Sequence, residues 1–342
     1  MITATTLPAQ PQVLLDWRQS LRDAVTDARE LLALLDLGEL ADKLPPNDVG
    51  FPLRVPRGFV TRMRKGDPRD PLLLQVLPQL AECESVADYV TDAVGDLRAR
   101  VAHGVLQKYQ GRALLIAGGS CAVNCRYCFR RHFPYSEEIA AANGWQEALA
   151  HLRADDSIHE AILSGGDPLI LSTTKLREFG TALAGIPHVR TLRIHTRVPV
   201  VLPERIDHEF CGWLAALPLR RAIVLHVNHA NEIDESVRLA CARLREAGVS
   251  LLNQSVLLRG INDDADALAA LSERLFDCGV MAYYLHQLDR VRGTAHFAVE
   301  DSDARDLTDS LRARLPGYLV PRLVREVAGA SSKTPLERAG KV

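Results

Sequence analysis

The chain has no excess of basic residues: 41 Lys and Arg stand against 43 Asp and Glu, a formal net charge of −2 that leaves no electrostatic footprint for nucleic acid. It has no apolar run long enough to span a bilayer, and Met1 to Leu15 lacks the charged-then-apolar pattern of an export leader. A disulfide framework is missing too, because the seven cysteines are an odd number and three of them crowd one short segment. Together these absences set aside nucleic-acid binders, membrane proteins and stapled secreted domains, and predict a soluble cytoplasmic enzyme. With 342 residues, 47% of them hydrophobic, the chain can bury one large core with appendages.

Residues 1–105 are expected to form a helical cover. Leu14, Trp17, Leu21, Val25, Ala28, Leu31, Leu32 and Leu35 recur at helical spacing and predict one amphipathic helix over Gln12 to Leu37. Pro-rich turns follow, and a further helix is expected over Ser85 to His103. From residue 106 to 315 short apolar runs alternate with amphipathic helices. The runs are Arg112 to Ala117, Ala161 to Ser164, Thr191 to His195, Ala222 to His226, Ser250 to Leu257 and Ala282 to His286. Gly248 and Gly279 stand just past two of the helices, over Glu235 to Ala247 and Ala265 to Cys278, as helix stops. Six such βα units predict an α/β fold, a partial (β/α)6 barrel of the TIM type; periodicity alone leaves a doubly wound sheet open. Residues 316–342 read as a C-terminal tail.

What is present is a CxxxCxxC run, Cys121, Cys125 and Cys128, at the mouth of the first of these strands. Three clustered thiolates can hold three irons of a [4Fe-4S] cube and leave the fourth iron open to another ligand. Structural zinc wants four ligands in paired knuckles, and Cys83, Cys211, Cys241 and Cys278 are single and scattered, so spacing and ligand count favour the cluster. Ser164-Gly165-Gly166-Asp167-Pro168-Leu169 closes the second strand; two glycines allow close backbone approach to a ligand, and Asp167 could face an ammonium, although Gly-Gly-Asp-Pro is also an ordinary turn. Cys121, Gly165, Gly166, His195, His226, Gln254 and Asp289 fall at the carboxyl ends of different strands, where barrel active sites are built.

A longer series of motifs, in order from Asp67 to Lys333, makes the chain similar to radical S-adenosylmethionine enzymes of the lysine 2,3-aminomutase family, and within it to the short branch that makes β-lysine for elongation factor P. The series comprises Asp70-Pro-Leu-Leu-Leu-Gln-Val-Leu-Pro78, the cysteine run to Arg131, Ser164 to Leu169, Arg193 to Pro203, Asn228 to Ile233, Asn253 to Asp263 and Ser332-Lys-Thr-Pro335. The resemblance implies that the open iron chelates S-adenosylmethionine and that its cleavage gives a 5′-deoxyadenosyl radical. Gly165, Gly166, Asp167, His226 and Gln254 would line that ligand, although a lone strand histidine is by default a core residue. It also implies a Schiff base between Lys333 and pyridoxal 5′-phosphate, with Lys108, Tyr109 and Arg112 contacting the cofactor; taken alone, Lys333 is an ordinary tail lysine. Arg130 matches the arginine that binds the substrate carboxylate, and Asp289 an aspartate that pairs with the distal ammonium of L-lysine.

Two departures from the family pattern stand out. The second ammonium-binding acid is Glu326 rather than aspartate. Asp264 stands where longer relatives have a zinc cysteine, so no structural zinc is expected. The implied reaction is isomerisation of L-α-lysine to β-lysine, with flavodoxin or ferredoxin as electron donor and the oligomeric state, homo-oligomer or monomer, left open. The alternatives are an aminomutase of another amino acid such as glutamate, which would want a cation where Asp289 and Glu326 stand, and a non-catalytic iron–sulfur electron carrier, which needs no Schiff-base lysine.

Overall fold

The structure, a computed structural model, describes residues 16–46, 50–142 and 144–336. One ten-stranded sheet organises it: β1 (Arg100–Ala102), β2 (Val105–Tyr109), β3 (Arg112–Gly118), β4 (Glu160–Gly165), β5 (Thr191–Thr196), β6 (Arg220–Leu225), β7 (Ser250–Val256), β8 (Met281–His286), β9 (Arg322–Arg325) and β10 (Thr334–Pro335). Strands β3 to β9 pair in parallel, while β1–β2–β3 and β9–β10 are antiparallel. The spatial order is the chain order throughout, without the reversal that a doubly wound sheet requires, so the fold is a partial barrel.

The strands form where the sequence supplies them. β4 carries the continuous buried run Ala161, Ile162, Leu163 of a strand covered on both faces. In β5 and β7, Leu192, Ile194, Leu251 and Asn253 are buried while His195 and Gln254 are only half-buried, the alternation of a strand with one face less covered than the other. The helices between the strands start on side-chain caps: Ser172, Asp207, Asp234 and Asp264 each accept from a backbone N–H three residues on. Asp264 is thus a helix cap. No described helix is long and apolar enough to cross a membrane.

Three expectations need correction. The single helix over Gln12 to Leu37 is two, Trp17–Arg22 and Ala28–Leu34, capped by Asp16 and Asp27, with Val25 between them in a bridge to Val55; Gln12 to Leu15 lie outside the described residues. Ser85 to His103 is not a helix. Asp92 accepts from the backbone of Asp96 and Leu97, Gly95 takes φ +68°, and the chain passes through a short 3-10 helix into β1, whose pairing to β2 outweighs its apolar periodicity. The segment expected as a tail supplies β9 and β10, so the sheet has a seventh parallel strand, and a boundary at residue 105 falls on the first residue of β2.

The cover does more than cover. Arg126 donates from Nε to Glu82 Oε1 at 2.9 Å, and Arg131 from Nη2 to Glu82 Oε2 at 2.7 Å, all three side chains buried. The backbone N–H groups of Asn124 and Arg126 donate to the carbonyls of Arg54 and Gln75. A buried carboxylate bonded by two guanidiniums forms a rigid joint. It fixes the cysteine segment to residues 51–82.

Candidate active site

The cysteine segment leaves the carboxyl end of β3, and Cys121, Cys125 and Cys128 are free, partly buried thiols. Burial, then the neighbouring Cys128, pushes the Cys121 thiol well above its ordinary value; burial, then Cys125, pushes Cys128 to about 11. Three thiols in one short segment, two of them held un-ionised by burial and by their cysteine neighbours, are a donor set suited to a cationic multi-iron group.

The Gly165-Gly166-Asp167 strap approaches its own chain. Gly165 has φ +120°, and a Cβ there would stand 2.6 Å from the Gly118 carbonyl oxygen; at Gly166 it would stand 2.4 Å from that of Ser120. Gly166 N donates to Gly118 O at 2.7 Å and Asp167 N to Ser120 O at 2.8 Å, so the strap braces the backbone that leads into Cys121. The Asp167 carboxylate accepts from Thr196 Oγ1 at 2.7 Å, and from the backbone N–H of Arg197 at 2.7 Å, Leu169 at 3.0 Å and Val198 at 3.2 Å. Its expected place opposite a ligand ammonium is therefore corrected: Asp167 joins the ends of β4 and β5. Burial raises its carboxyl to about 6 against those hydrogen bonds. Gly165→Ala should cost about 1–3 kcal/mol through its positive φ, more through the carbonyl contact, and lower iron content with it; thermal melting and iron analysis check this.

Lys333 Nζ donates to Glu326 Oε2 at 2.8 Å and lies 5.7 Å from the centroid of the Tyr284 ring. Tyr109 donates its hydroxyl to Glu326 Oε1 at 2.7 Å, and Lys108 Nζ stands 3.5 Å from that oxygen. Burial opposes ionisation of Glu326, but Lys333, Tyr109 and Lys108 outweigh it and hold the carboxyl below its ordinary value. Glu326, expected to face a substrate ammonium, is thus engaged with Lys333. Arg112 stacks 4.8 Å from the Tyr109 ring centroid with its Nε unpartnered. Those cations, an accessible amine and a ring beside it fit an anionic aromatic cofactor.

The substrate candidates are held by their own partners. Arg130 gives Nε to Asp96 at 2.6 Å and Nη1 to Ser164 Oγ at 3.0 Å, and Asp96 also binds Lys108 Nζ at 2.7 Å. Asp289 is half-buried, and burial raises its carboxyl to about 7, with Glu326 adding to the rise and Lys333 opposing it. Gln254 Nε2 lies 3.1 Å from His226 Nε2, and burial, then the Arg197 charge, lowers His226 to about 3, so it stays neutral. His195, 6.1 Å from His226 between ring centroids, and His286 leave buried Nε2 atoms unpartnered.

Sequence reasoning missed Asp96, which lay in a segment expected to be helical, and Arg197, whose guanidinium reaches Cys125 Sγ at 2.8 Å. Arg197 had a signal, the arginine in His195-Thr-Arg-Val at a strand end, but nothing in the sequence names its partner.

No family model matches the sequence. Over 330 residues, 94% of each chain, it is 49% identical to L-lysine 2,3-aminomutase of Escherichia coli (strain K12). It is 44% identical to that of Haemophilus influenzae over 96% of this chain and 98% of the relative, and 32% identical to that of Clostridium subterminale over 94% and 77%. Among solved structures, a radical S-adenosylmethionine methyltransferase from Kitasatospora setae shares 15% identity at a TM-score of 0.34 over 50% of this chain and 36% of its own, too slight a likeness to build on. Identity at these levels over nearly the whole chain places it in the L-lysine 2,3-aminomutase family, whose members are isomerases.

Proposed function

We propose that this protein converts L-α-lysine to β-lysine, with elongation factor P as the eventual recipient, in a reducing cytoplasmic compartment. The observation that carries the reading is the run of polar contacts from the cysteine segment to Lys333: Arg130, two residues after Cys128, bonds Asp96, Asp96 binds Lys108, Lys108 stands 3.5 Å from Glu326, and Glu326 holds Lys333. When bound, a [4Fe-4S] cluster with S-adenosylmethionine supplies the radical, and pyridoxal phosphate supplies the π system that lets an amino group move to the adjacent carbon.

The chain's own residues do the rest. The three cysteines hold the cluster, and His226 and Gln254, neutral and hydrogen-bonded to each other, suit the polar part of S-adenosylmethionine. Lys333 holds pyridoxal phosphate, with Arg112 and Lys108 near its anionic end. Glu326 keeps the Lys333 amine oriented. Arg130, fixed through Nε by Asp96, turns its remaining donors to the substrate carboxylate. Asp289 pairs with the distal ammonium. An electron donor such as flavodoxin or ferredoxin completes the assignment.

The specificity is testable. A partly desolvated carboxylate that loses its cation costs about 2–5 kcal/mol, so norleucine should be worse than lysine by about thirtyfold or more. Asp289→Asn should raise the apparent KM for lysine steeply, leaving iron and pyridoxal content unchanged. Arg130→Lys should also weaken binding, because the planar fork is lost while the charge stays. Steady-state turnover of lysine, norleucine and glutamate decides: equal use of glutamate, or a neutral Asp289→Asn, would replace lysine with another amino acid.

The Asp289 carboxyl also sets a pH dependence. Its value in the folded protein, about 7, lies above an unfolded value of about 3.9, so the native state holds the proton more tightly and loses stability as pH rises through that window. Only the ionised form pairs with an ammonium. Lysine affinity should therefore strengthen between about pH 6 and pH 8, by up to about tenfold per unit below 7, and Asp289→Asn should flatten the profile.

A further inference from the structure

We propose that Arg197 is a positioning residue for the cluster held by Cys121, Cys125 and Cys128, and that its hydrogen bond to the Cys125 sulfur sets how readily that cluster accepts an electron. This rests on the cluster assignment above. Arg197 follows directly on β5, and its backbone N–H is pinned by Asp167 at 2.7 Å. Its Nη1 donates to Cys125 Sγ at 2.8 Å, while Nη2 donates to Gln75 Oε1 at 2.6 Å and to Glu232 Oε2 at 2.9 Å. The rings of Phe59 and Tyr127 lie 5.5 and 5.8 Å from the guanidinium carbon, and only 5% of the residue is exposed.

The partners of this guanidinium are themselves immobilised. Glu232 is fully buried and also accepts from Gln75 Nε2 and from the backbone N–H of Asn228 and His229. Elements distant in the chain, the cover at Gln75, the end of β5 and the loop after β6, therefore converge on one charge and aim it at one of the three cysteine sulfurs. A purely structural bridge is complete with Glu232 and Gln75. The third contact is additional, and burial of the guanidinium keeps its charge from being screened as a surface charge would be.

The consequence follows from charge. Reduction adds one negative charge to a cluster, and hydrogen bonds to its sulfurs, nearby charge and solvent exclusion set its potential. A guanidinium on Cys125 favours the reduced form, and Glu232 behind it moderates that effect. Removing the two charges should shift the potential in opposite directions.

The test is an anaerobic redox titration of reconstituted full-length protein, followed by electron paramagnetic resonance, with iron and sulfide analysis and thermal melting alongside. Arg197→Gln should make the cluster at least tenfold harder to reduce, about 59 mV for a one-electron couple. Arg197→Lys, which keeps the charge but cannot serve three acceptors in one plane, should shift it less in the same direction. Glu232→Gln should raise the potential. If Arg197→Gln cannot hold iron, Arg197→Lys and Glu232→Gln carry the test. Wild-type potentials in iron-replete variants would overturn the proposal even if melting temperatures fell. A wild-type protein that forms no cluster would overturn the underlying assignment instead.

Discussion

Lys333→Ala is expected to abolish covalent attachment of pyridoxal phosphate and to reduce β-lysine formation to below about a thousandth of wild type, a loss of more than about 4 kcal/mol in the barrier. The reason lies in the geometry. Lys333 is the amine held by Glu326 at 2.8 Å beside the Tyr284 ring, and the other nearby lysine, Lys108, is committed to Asp96, to the Val94 carbonyl and toward Glu326. S-adenosylmethionine should still bind, because the residues assigned to it sit at the ends of β4, β6 and β7 rather than in the β9–β10 hairpin. Borohydride reduction of the loaded wild-type protein and peptide mapping should place the label on Lys333; a label on Lys108 or elsewhere would remove Lys333 from its role. Release of Glu326 in the variant leaves a buried carboxylate beside Tyr109 and Lys108, so a modest loss of stability should accompany the loss of function.

Cys125→Ala should be as severe. Iron content and the paramagnetic signal of anaerobic protein should fall to background, and turnover with them. The sheet should stay folded, since the segment is gripped by Glu82 through Arg126 and Arg131 and by backbone bonds to Arg54 and Gln75, none of which needs the sulfur. Pyridoxal attachment at Lys333 should survive. This double dissociation, iron lost with Cys125 and pyridoxal lost with Lys333, separates two cofactor sites from a single fragile fold. Full iron and activity in Cys125→Ala would contradict the cluster assignment.

The two sites differ in how they could be read from residues. The parallel strands announce themselves as short apolar runs, and β3 to β8 lie within two residues of their expected ends at every boundary, because burial of at least one face leaves a strong hydrophobic signal. β9 escaped notice: Arg322-Leu-Val-Arg is four residues, half of them charged, and becomes a strand only by pairing with β8. The Cys121, Cys125 and Cys128 spacing carries its chemistry in sequence order. The Asp167 carboxylate does not. Residue type alone allowed it a ligand ammonium, and only the structure shows its oxygens satisfied from the end of β5. Arg197 makes the same point at longer range, since its partners Cys125, Gln75 and Glu232 lie 72, 122 and 35 residues away along the chain. Glu326, a departure from the family's aspartate, bonds Lys333 in the structure, a pairing that no spacing in the sequence announces.

The most direct measurement is product analysis after anaerobic reconstitution with iron, sulfide, S-adenosylmethionine and pyridoxal phosphate, using L-lysine as substrate and a reduced flavodoxin or dithionite as electron source. The account predicts β-lysine, formed only when all components are present and not from norleucine or glutamate at comparable rates. Protein replete in iron and pyridoxal that leaves L-lysine unchanged, or that rearranges glutamate as readily, would contradict it.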